Sequence, residues 1–200
     1  MLIDREQRRA ELAEAVWQVI SHKGVSAVSL RAVAARAGLS TGSLRHVFPS
    51  KGELLAFSME LVHQRFAERF EVHHRAEKPD LVAWLSELLP LDDERRLEMD
   101  VNLALLGDAG TDPELLRMRE ATAAGIHQVC RTALEHPGVD PVLRTDLDLD
   151  REVPRLAVTI DGLAFQLRAQ IDELTPRHAV EMLTEHIGQL ATTTRTLGEP

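Results

Sequence analysis

Ser29 to Phe48, S-L-R-A-V-A-A-R-A-G-L-S-T-G-S-L-R-H-V-F, restricts the fold more than any other stretch, because its capping and turn residues suit two short helices joined by a tight turn. Leu30, Val33 and Ala34 stand at i, i+3 and i+4, the apolar stripe of a short amphipathic helix that Ser29 can cap. Gly38 can take the left-handed backbone conformation that closes such a helix, and Ser40 or Thr41 can open the next one. Leu44, Val47 and Phe48 would anchor this second helix inward. Ser40, Thr41, Ser43, Arg45 and His46 are left outside, a polar and basic set on a helix short enough to enter a major groove.

The rest of the chain predicts helix as well. Tyrosine is absent, aromatics are 4%, and no alternating Val/Ile/Thr runs bounded by turn residues occur, whereas Ala, Leu, Glu and Arg recur at helical spacing. With 200 residues and 44% apolar content the chain can bury a substantial core. The expectation is an all-α protein of about nine helices, with a helix-turn-helix domain over residues 1–50 and a larger helical domain over 51–200. The charged N-terminus and the lack of an apolar run of roughly 18 residues argue against a signal peptide or membrane span, and the single cysteine, Cys130, fits a reducing compartment. A cytoplasmic location follows as the expectation.

The net charge of −9 is unevenly spread. Residues 1–58 hold eight Lys/Arg against five Asp/Glu, giving +3, and the remainder holds 15 against 27, giving −12. A basic module on an acidic body can approach DNA by one end while the other is repelled.

In chain order, a first helix is expected from Asp4 to His22, with Leu12, Val16, Val19 and Ile20 buried and Gly24 as its stop. Arg5, Arg8 and Arg9 near its start suit either DNA phosphates or a solvated face. Ser50 and Glu53 form a capping box before a long helix reaching about Val72, and Lys51 at its N-terminus suits a phosphate. Further helices are expected over Asp80–Leu89, Asp92–Ala109 ending at Gly110, and Asp112–Glu135. His136 to Asp150 reads as a long loop of the kind that is often mobile. The last two helices are expected over about Asp150–Leu174 and Pro176–Leu197. The first has a stripe of Val153, Leu156, Ile160, Leu163, Leu167 and Ile171, with Val158 and Phe165 off it; the second has Ala179, Leu183, Ile187 and Leu190, with Val180 and Met182 beside it. Helices apolar on more than one side need more than one partner, so this pair is expected to form a four-helix interface with a second copy.

Metal and enzyme chemistry find little support. Asp146, Asp148 and Asp150 resemble the opening of a calcium loop, but Arg151 stands where glycine is needed and Ala157 where a bidentate glutamate is needed. His127 and Cys130 at i, i+3 lack further ligands, and adjacent His73 and His74 diverge on a helix. There is no glycine-rich phosphate loop, G-x-S-x-G elbow or H-E-x-x-H pair. No cofactor, metal or catalytic residue is expected, and an enzyme or a helical interaction protein with a degenerate DNA-binding head are the alternatives to a regulator.

Between Arg9 and Leu55 the motifs resemble the tetracycline-repressor (TetR) family of bacterial transcription regulators. The residues that carry the resemblance are Val28-Ser29-Leu30, Val33 through Leu44, Phe48, Ser50-Lys51 and Leu54-Leu55, with Ile160 through Leu167 and Leu174-Thr175-Pro176 similar to one branch. The resemblance implies a homodimer that binds a pseudo-palindromic operator on double-stranded DNA and is released as a repressor by a small-molecule effector. Where the family usually carries tyrosine after the leucine of the recognition helix, this chain has Arg45, and Val47 replaces an aromatic or histidine. The residues expected at DNA are Ser29, Arg31, Ser40, Thr41, Gly42, Ser43, Arg45, His46 and Lys51, with Ser40 equally a cap. Those expected to line an effector cavity are Phe66, Trp84, Met99, Asn102, Met118, His127, Asp161 and Phe165.

Overall fold

The computed structural model describes residues 2–24, 27–108, 113–169 and 174–192, without the side chains of 2–6, 10, 105, 106, 108 and 114. The capping box at Asp4, the contacts of Arg5, the stop at Gly110, the cap at Asp112 and the place of Ile171 therefore lie outside the described residues. Within them nine helices follow one another and no strand occurs: α1 Leu2–Lys23, α2 Leu30–Arg36, α3 Thr41–Val47, α4 Lys51–His74, α5 Leu81–Ser86, α6 Asp93–Asp108, α7 Pro113–Glu135, α8 Leu149–Ala169 and α9 Pro176–Leu190. No helix among them is long and apolar enough to cross a membrane.

The helix ends obey local chemistry. Ser29 Oγ accepts the Ala32 amide at 3.2 Å, Ser40 Oγ that of Ser43 at 3.0 Å, and Ser50 Oγ that of Glu53 at 3.0 Å, each satisfying an amide that no helical carbonyl can reach. Asp80 and Thr175 cap α5 and α9 in the same way. Gly38 has φ +67°, and the Leu39 amide returns to the Ala34 carbonyl at 2.8 Å, closing α2.

Two helices are shorter than their sequence pattern. α5 ends at Ser86 rather than Leu89, the amides of Glu87, Leu88 and Leu89 turning back three residues to Trp84, Leu85 and Ser86 in a tighter coil. α9 ends at Leu190 rather than about Leu197, because Ala191 takes an extended conformation and the Thr192 amide donates to the Val142 carbonyl at 2.8 Å. α8 is described as far as Ala169, where about Leu174 was expected. The connection 136–148 is non-helical as expected, and it is paired by its backbone: the Asp140 amide donates to Pro79 O, the Leu81 amide to Asp140 O, and the Arg144 amide to Leu190 O.

The chain forms two compact units. One comprises Met1–Glu68 with Asp92–Ala124, the other Arg69–Leu91 with Gly125–Pro200, and α4 and α7 contribute residues to both. The boundary expected after residue 50 falls inside the first unit, at the junction of α3 and α4. In that unit α1 packs on α2 and α6, and α2 on α3. Its core runs from Leu12, Val16, Trp17 and Ile20 through Val33, Leu44 and Phe48 to Leu54, Leu55, Val101 and Leu115, all buried. In the other unit α9 packs on α5 and α8. Ala179, Leu183, Ile187 and Leu190 are buried there, as are Val153, Leu156, Ile160 and Leu163 of the expected α8 stripe.

A Cβ built on Gly38 meets nothing within 4 Å, so a substitution there costs backbone strain without a clash. Gly38→Ala is expected to lower unfolding free energy by about 1–2 kcal/mol, the cost of placing an L-residue in the left-handed region. A urea midpoint equal to that of the wild type would show that the turn does not depend on glycine.

Candidate nucleic-acid interface

α3 has seven residues, too few to hold helix on its own, so its presentation depends on what it buries. Leu44 and Phe48 are fully buried and Val47 is half-buried, which fixes the inward side. At 100° per residue the opposite side is centred on Gly42 and flanked by Arg45 and His46, with Ser43 beyond; all four are exposed, and Thr41 is half-buried at the edge. Ser29 and Arg31 of the preceding helix start are exposed as well, and Lys51 is half-buried as the first residue of α4.

Ser40 serves as the N-cap of α3, and it also shares one proton with Ser43, their hydroxyl oxygens lying 2.9 Å apart. Two hydroxyls carry two protons. Whichever serine donates within the pair, the other's O–H is left to point elsewhere, so cap and contact are compatible at this helix start. Of the nine residues expected at DNA, Ser40, Thr41, Gly42, Ser43, Arg45 and His46 thus stand at the start of α3 or on it, Ser29 and Arg31 at the exposed start of α2, and Lys51 at the head of α4.

Arg9 makes a contact that neither expectation included. Its guanidinium carbon lies 4.8 Å from the Phe48 ring centroid and 4.4 Å from that of Phe57, while the two rings sit 5.4 Å apart. Half-buried, Arg9 clamps α1 onto the residue that ends α3. Arg8 pairs with Glu11 at 3.4 Å. Sequence spacing could not find this role for Arg9, since its partners lie 39 and 48 residues away.

The residues expected to line a cavity divide between the two units. In the first, Asn102 Nδ2 faces Met99 Sδ at 4.0 Å and Asn102 Oδ1 is buried without a hydrogen-bond partner. Phe66 and Met118 are half-buried. Two residues absent from the expectation sit beside Met118: Thr122 donates its hydroxyl to the Met118 carbonyl at 2.9 Å, so His63 Nε2, 3.2 Å from the Thr122 oxygen, must donate to it. Burial pushes the His63 pKa down, partly opposed by Glu60.

In the second unit Trp84 is fully buried among aromatic rings. Phe70, His73, His74 and His136 have centroids 4.8, 6.4, 5.9 and 5.6 Å from it. His127 and Asp161 are exposed, and Phe165 is 52% exposed. Partial desolvation raises the Asp161 carboxyl and the charge of His127 lowers it. Burial first, and then Asp161, pushes the Cys130 thiol up to about 12, so it is neither a nucleophile nor a ready metal ligand near neutral pH. No cluster of three or more metal-ligating side chains occurs among the described residues.

Comparison with known proteins places this geometry among regulators. Residues 12–56 match the family described as "Bacterial regulatory proteins, tetR family", and residues 78–192 match "BetI-type transcriptional repressor, C-terminal". The chain is 35% identical over 173 residues to the HTH-type transcriptional regulator PksA of Bacillus subtilis (strain 168), covering 85% of this chain and 82% of that protein. A transcriptional regulator from Rhodococcus sp. Rha1 superposes with a TM-score of 0.75 at 29% identity, over 91% of this chain and 95% of that one. A regulator from Saccharomonospora viridis, solved in complex with choline, shares the fold with a TM-score of 0.76 at 23% identity, over 93% and 98% of the two chains.

Gly42 is the residue on this surface whose presence the fold does not explain. A Cβ there would meet only Ser40 Oγ, at 3.7 Å, and its backbone needs no positive φ. Glycine in a helix costs up to about 1 kcal/mol relative to alanine, and a bare backbone lets a partner approach closely. Gly42→Ala is expected to keep or raise stability while weakening binding to duplex DNA. Unchanged DNA affinity in a filter-binding titration would show that no partner approaches the helix there.

Proposed function

Because the chain belongs to the TetR family of bacterial transcriptional regulators, we propose that it acts as a homodimeric repressor, each subunit placing α3 in a major groove of a pseudo-palindromic operator. The observation that carries this reading is the exposed face of Gly42, Ser43, Arg45 and His46 on a helix held from behind by Leu44 and Phe48. Gly42 lets the helix backbone sit close, Ser29, Arg31, Ser40, Thr41 and Ser43 bond phosphates or base edges, and Lys51 adds a cation at the start of α4. Arg45 and His46 are the specificity residues. Arg45 takes guanine O6 and N7 with both arms of its guanidinium, replacing the tyrosine usual at this place in the family.

Dimerisation through α8 and α9 is supported by apolar side chains that the single chain leaves uncovered: Val158 at 69%, Phe165 at 52% and Met182 at 50% exposure. Val158 and Phe165 are seven residues apart, hence on one face of α8. A two-fold pairing of these helices would cover all three.

Release of the operator by a small-molecule effector completes the reading. The choline bound by the Saccharomonospora viridis protein supports a small organic ligand, and the −12 balance of residues 59–200 favours a cationic or neutral one over an anion. Taken by itself, the first unit offers Phe66, Met99, Asn102 and Met118 as contact candidates, and the second, by itself, Trp84, His127 and Asp161.

Selection of bound duplexes from a random DNA pool tests function and symmetry together: a palindromic consensus is expected, with half-sites about 34–36 Å apart or a multiple of that. Recovery of no consensus would refute the repressor reading, and a monomer by sedimentation that still bound tightly would refute the dimer. On the selected operator, Arg45→Ala is expected to cost about 1–3 kcal/mol and to relax discrimination at a single base pair. A uniform loss across sequences, with the salt slope reduced by about one, would assign Arg45 to phosphate instead.

A further inference from the structure

We propose that Arg65 is the positioning residue that ties the DNA-binding helices to α6, so that operator affinity is set from α6 through one guanidinium; this rests on the regulator reading above. Arg65 stands on α4 and reaches two other helices at once. Its Nη2 donates to Glu14 Oε2 of α1 at 3.3 Å, and its Nη1 donates to Glu94 Oε1 of α6 at 3.3 Å. Its Cζ lies 4.0 Å from the ring centroid of Trp17 on α1. Trp17 is 2% exposed, so the ring is a fixed platform. A planar, forked guanidinium stacks flat on an aromatic face while its two ends, held apart, donate to different carboxylates; a lysine ammonium concentrates its donors at one point and cannot stack in this way.

All of these groups belong to the first compact unit, and within it α6 packs on α1 although it contributes nothing to the helix-turn-helix. From α1 the linkage continues by contacts already described. Arg9, five residues before Glu14 and eight before Trp17, lies over Phe48 and Phe57, and Phe48 ends α3. Glu94, Arg65 and Trp17 thus form one cluster and Arg9, Phe48 and Phe57 another, and the α1 helix joins the two between α6 and the back of α3. Each ion pair alone would be weak, because Arg65 is 37%, Glu14 51% and Glu94 60% exposed at the side chain. Three contacts sharing one group do not act independently, however: the loss of any one frees the guanidinium from the geometry that the others need. A shift of α6 therefore reaches α1 as a change in Arg65, and the angle of α3 follows.

The test measures full-length protein on its selected operator and on a random-sequence duplex, by fluorescence anisotropy without any effector. Arg65→Met keeps the apolar stem over Trp17 and removes both donors. It is expected to weaken operator binding roughly fivefold or more, in the range of allosteric couplings, and to leave random-duplex binding unchanged. Arg65→Lys should recover only part of the loss. Glu94→Ala, an exposed change far from the DNA face in sequence, should weaken operator binding by more than about twofold, and should add nothing in the Arg65→Met background. A purely structural role would lower both affinities together, and that outcome would overturn the proposal. So would operator affinity of Arg65→Met within about twofold of wild type, or effects of the two substitutions that multiply. Should Arg65→Met lose its helical circular dichroism, Glu94→Ala decides alone: an unchanged operator affinity overturns the proposal, and a selective loss supports it. A wild type that selects no operator would overturn the function reading and this inference together, whereas the other negative results leave the function reading intact.

Discussion

The burial of Phe48 is the constraint on which the DNA-facing surface depends. A seven-residue helix has no independent stability, since the entropy of nucleating it exceeds what its few hydrogen bonds return. α3 therefore exists because Leu44 and Phe48 are removed from water, and its direction is that of the pocket which takes the Phe48 ring. That pocket has a polar lid. Arg9 lies against both Phe48 and Phe57, so the ring is fixed from the α1 side by a cation and from the α4 side by an aromatic. The caps at Ser29 and Ser40 then determine where the two helices start, and Gly38 determines the turn between them.

The same surface shows how two glycines only four residues apart in sequence carry opposite constraints. Gly38 is required by the backbone, which adopts φ +67°, and its surroundings would admit a side chain. Gly42 is required by neither backbone nor packing, and it sits at the centre of the one face of α3 that the core does not use. A residue that weakens a helix without helping it fold is better explained by what comes to the helix from outside. This is why the face around Gly42, rather than the basic residues at the start of α1, carries the functional reading.

Local features were legible in the sequence. The helix-turn-helix, its serine caps, the stop at Gly38 and the buried stripe Ala179, Leu183, Ile187 and Leu190 all follow from spacing and side-chain chemistry within a few residues. What could not be read was the destination of long side chains. Arg9 and Arg65 look like surface cations in any window of sequence, and their roles come from Phe48, Phe57, Glu14, Trp17 and Glu94, brought near by tertiary packing. The end of α9 was misjudged for a similar reason: the pattern continues past Leu190, but Thr192 finds a backbone partner at Val142 in a distant loop. The exposed placement of the helix-turn-helix residues was legible because the motif is local; the exposure of His127 and Phe165 and the burial of Trp84 were not, because they are properties of packing.

The grouping of α6 with the helix-turn-helix gives this division a functional consequence. By sequence α6 belongs to the acidic body, which begins after the basic module, yet it packs on α1 in the same compact unit as α2 and α3. A signal arriving at α6 thus needs no bending of the exposed seven-residue helix proposed to enter the groove. That helix can remain rigid on Phe48 while α1 turns as a body, and rigidity is what base discrimination requires, since a contact made by a loosely held arginine would be shared among several base pairs. The arrangement separates the two demands on a regulator: local caps and buried rings keep α3 fixed in shape, and half-exposed ion pairs of small individual energy, at Arg65, hold its orientation where a modest ligand-binding energy suffices to change it.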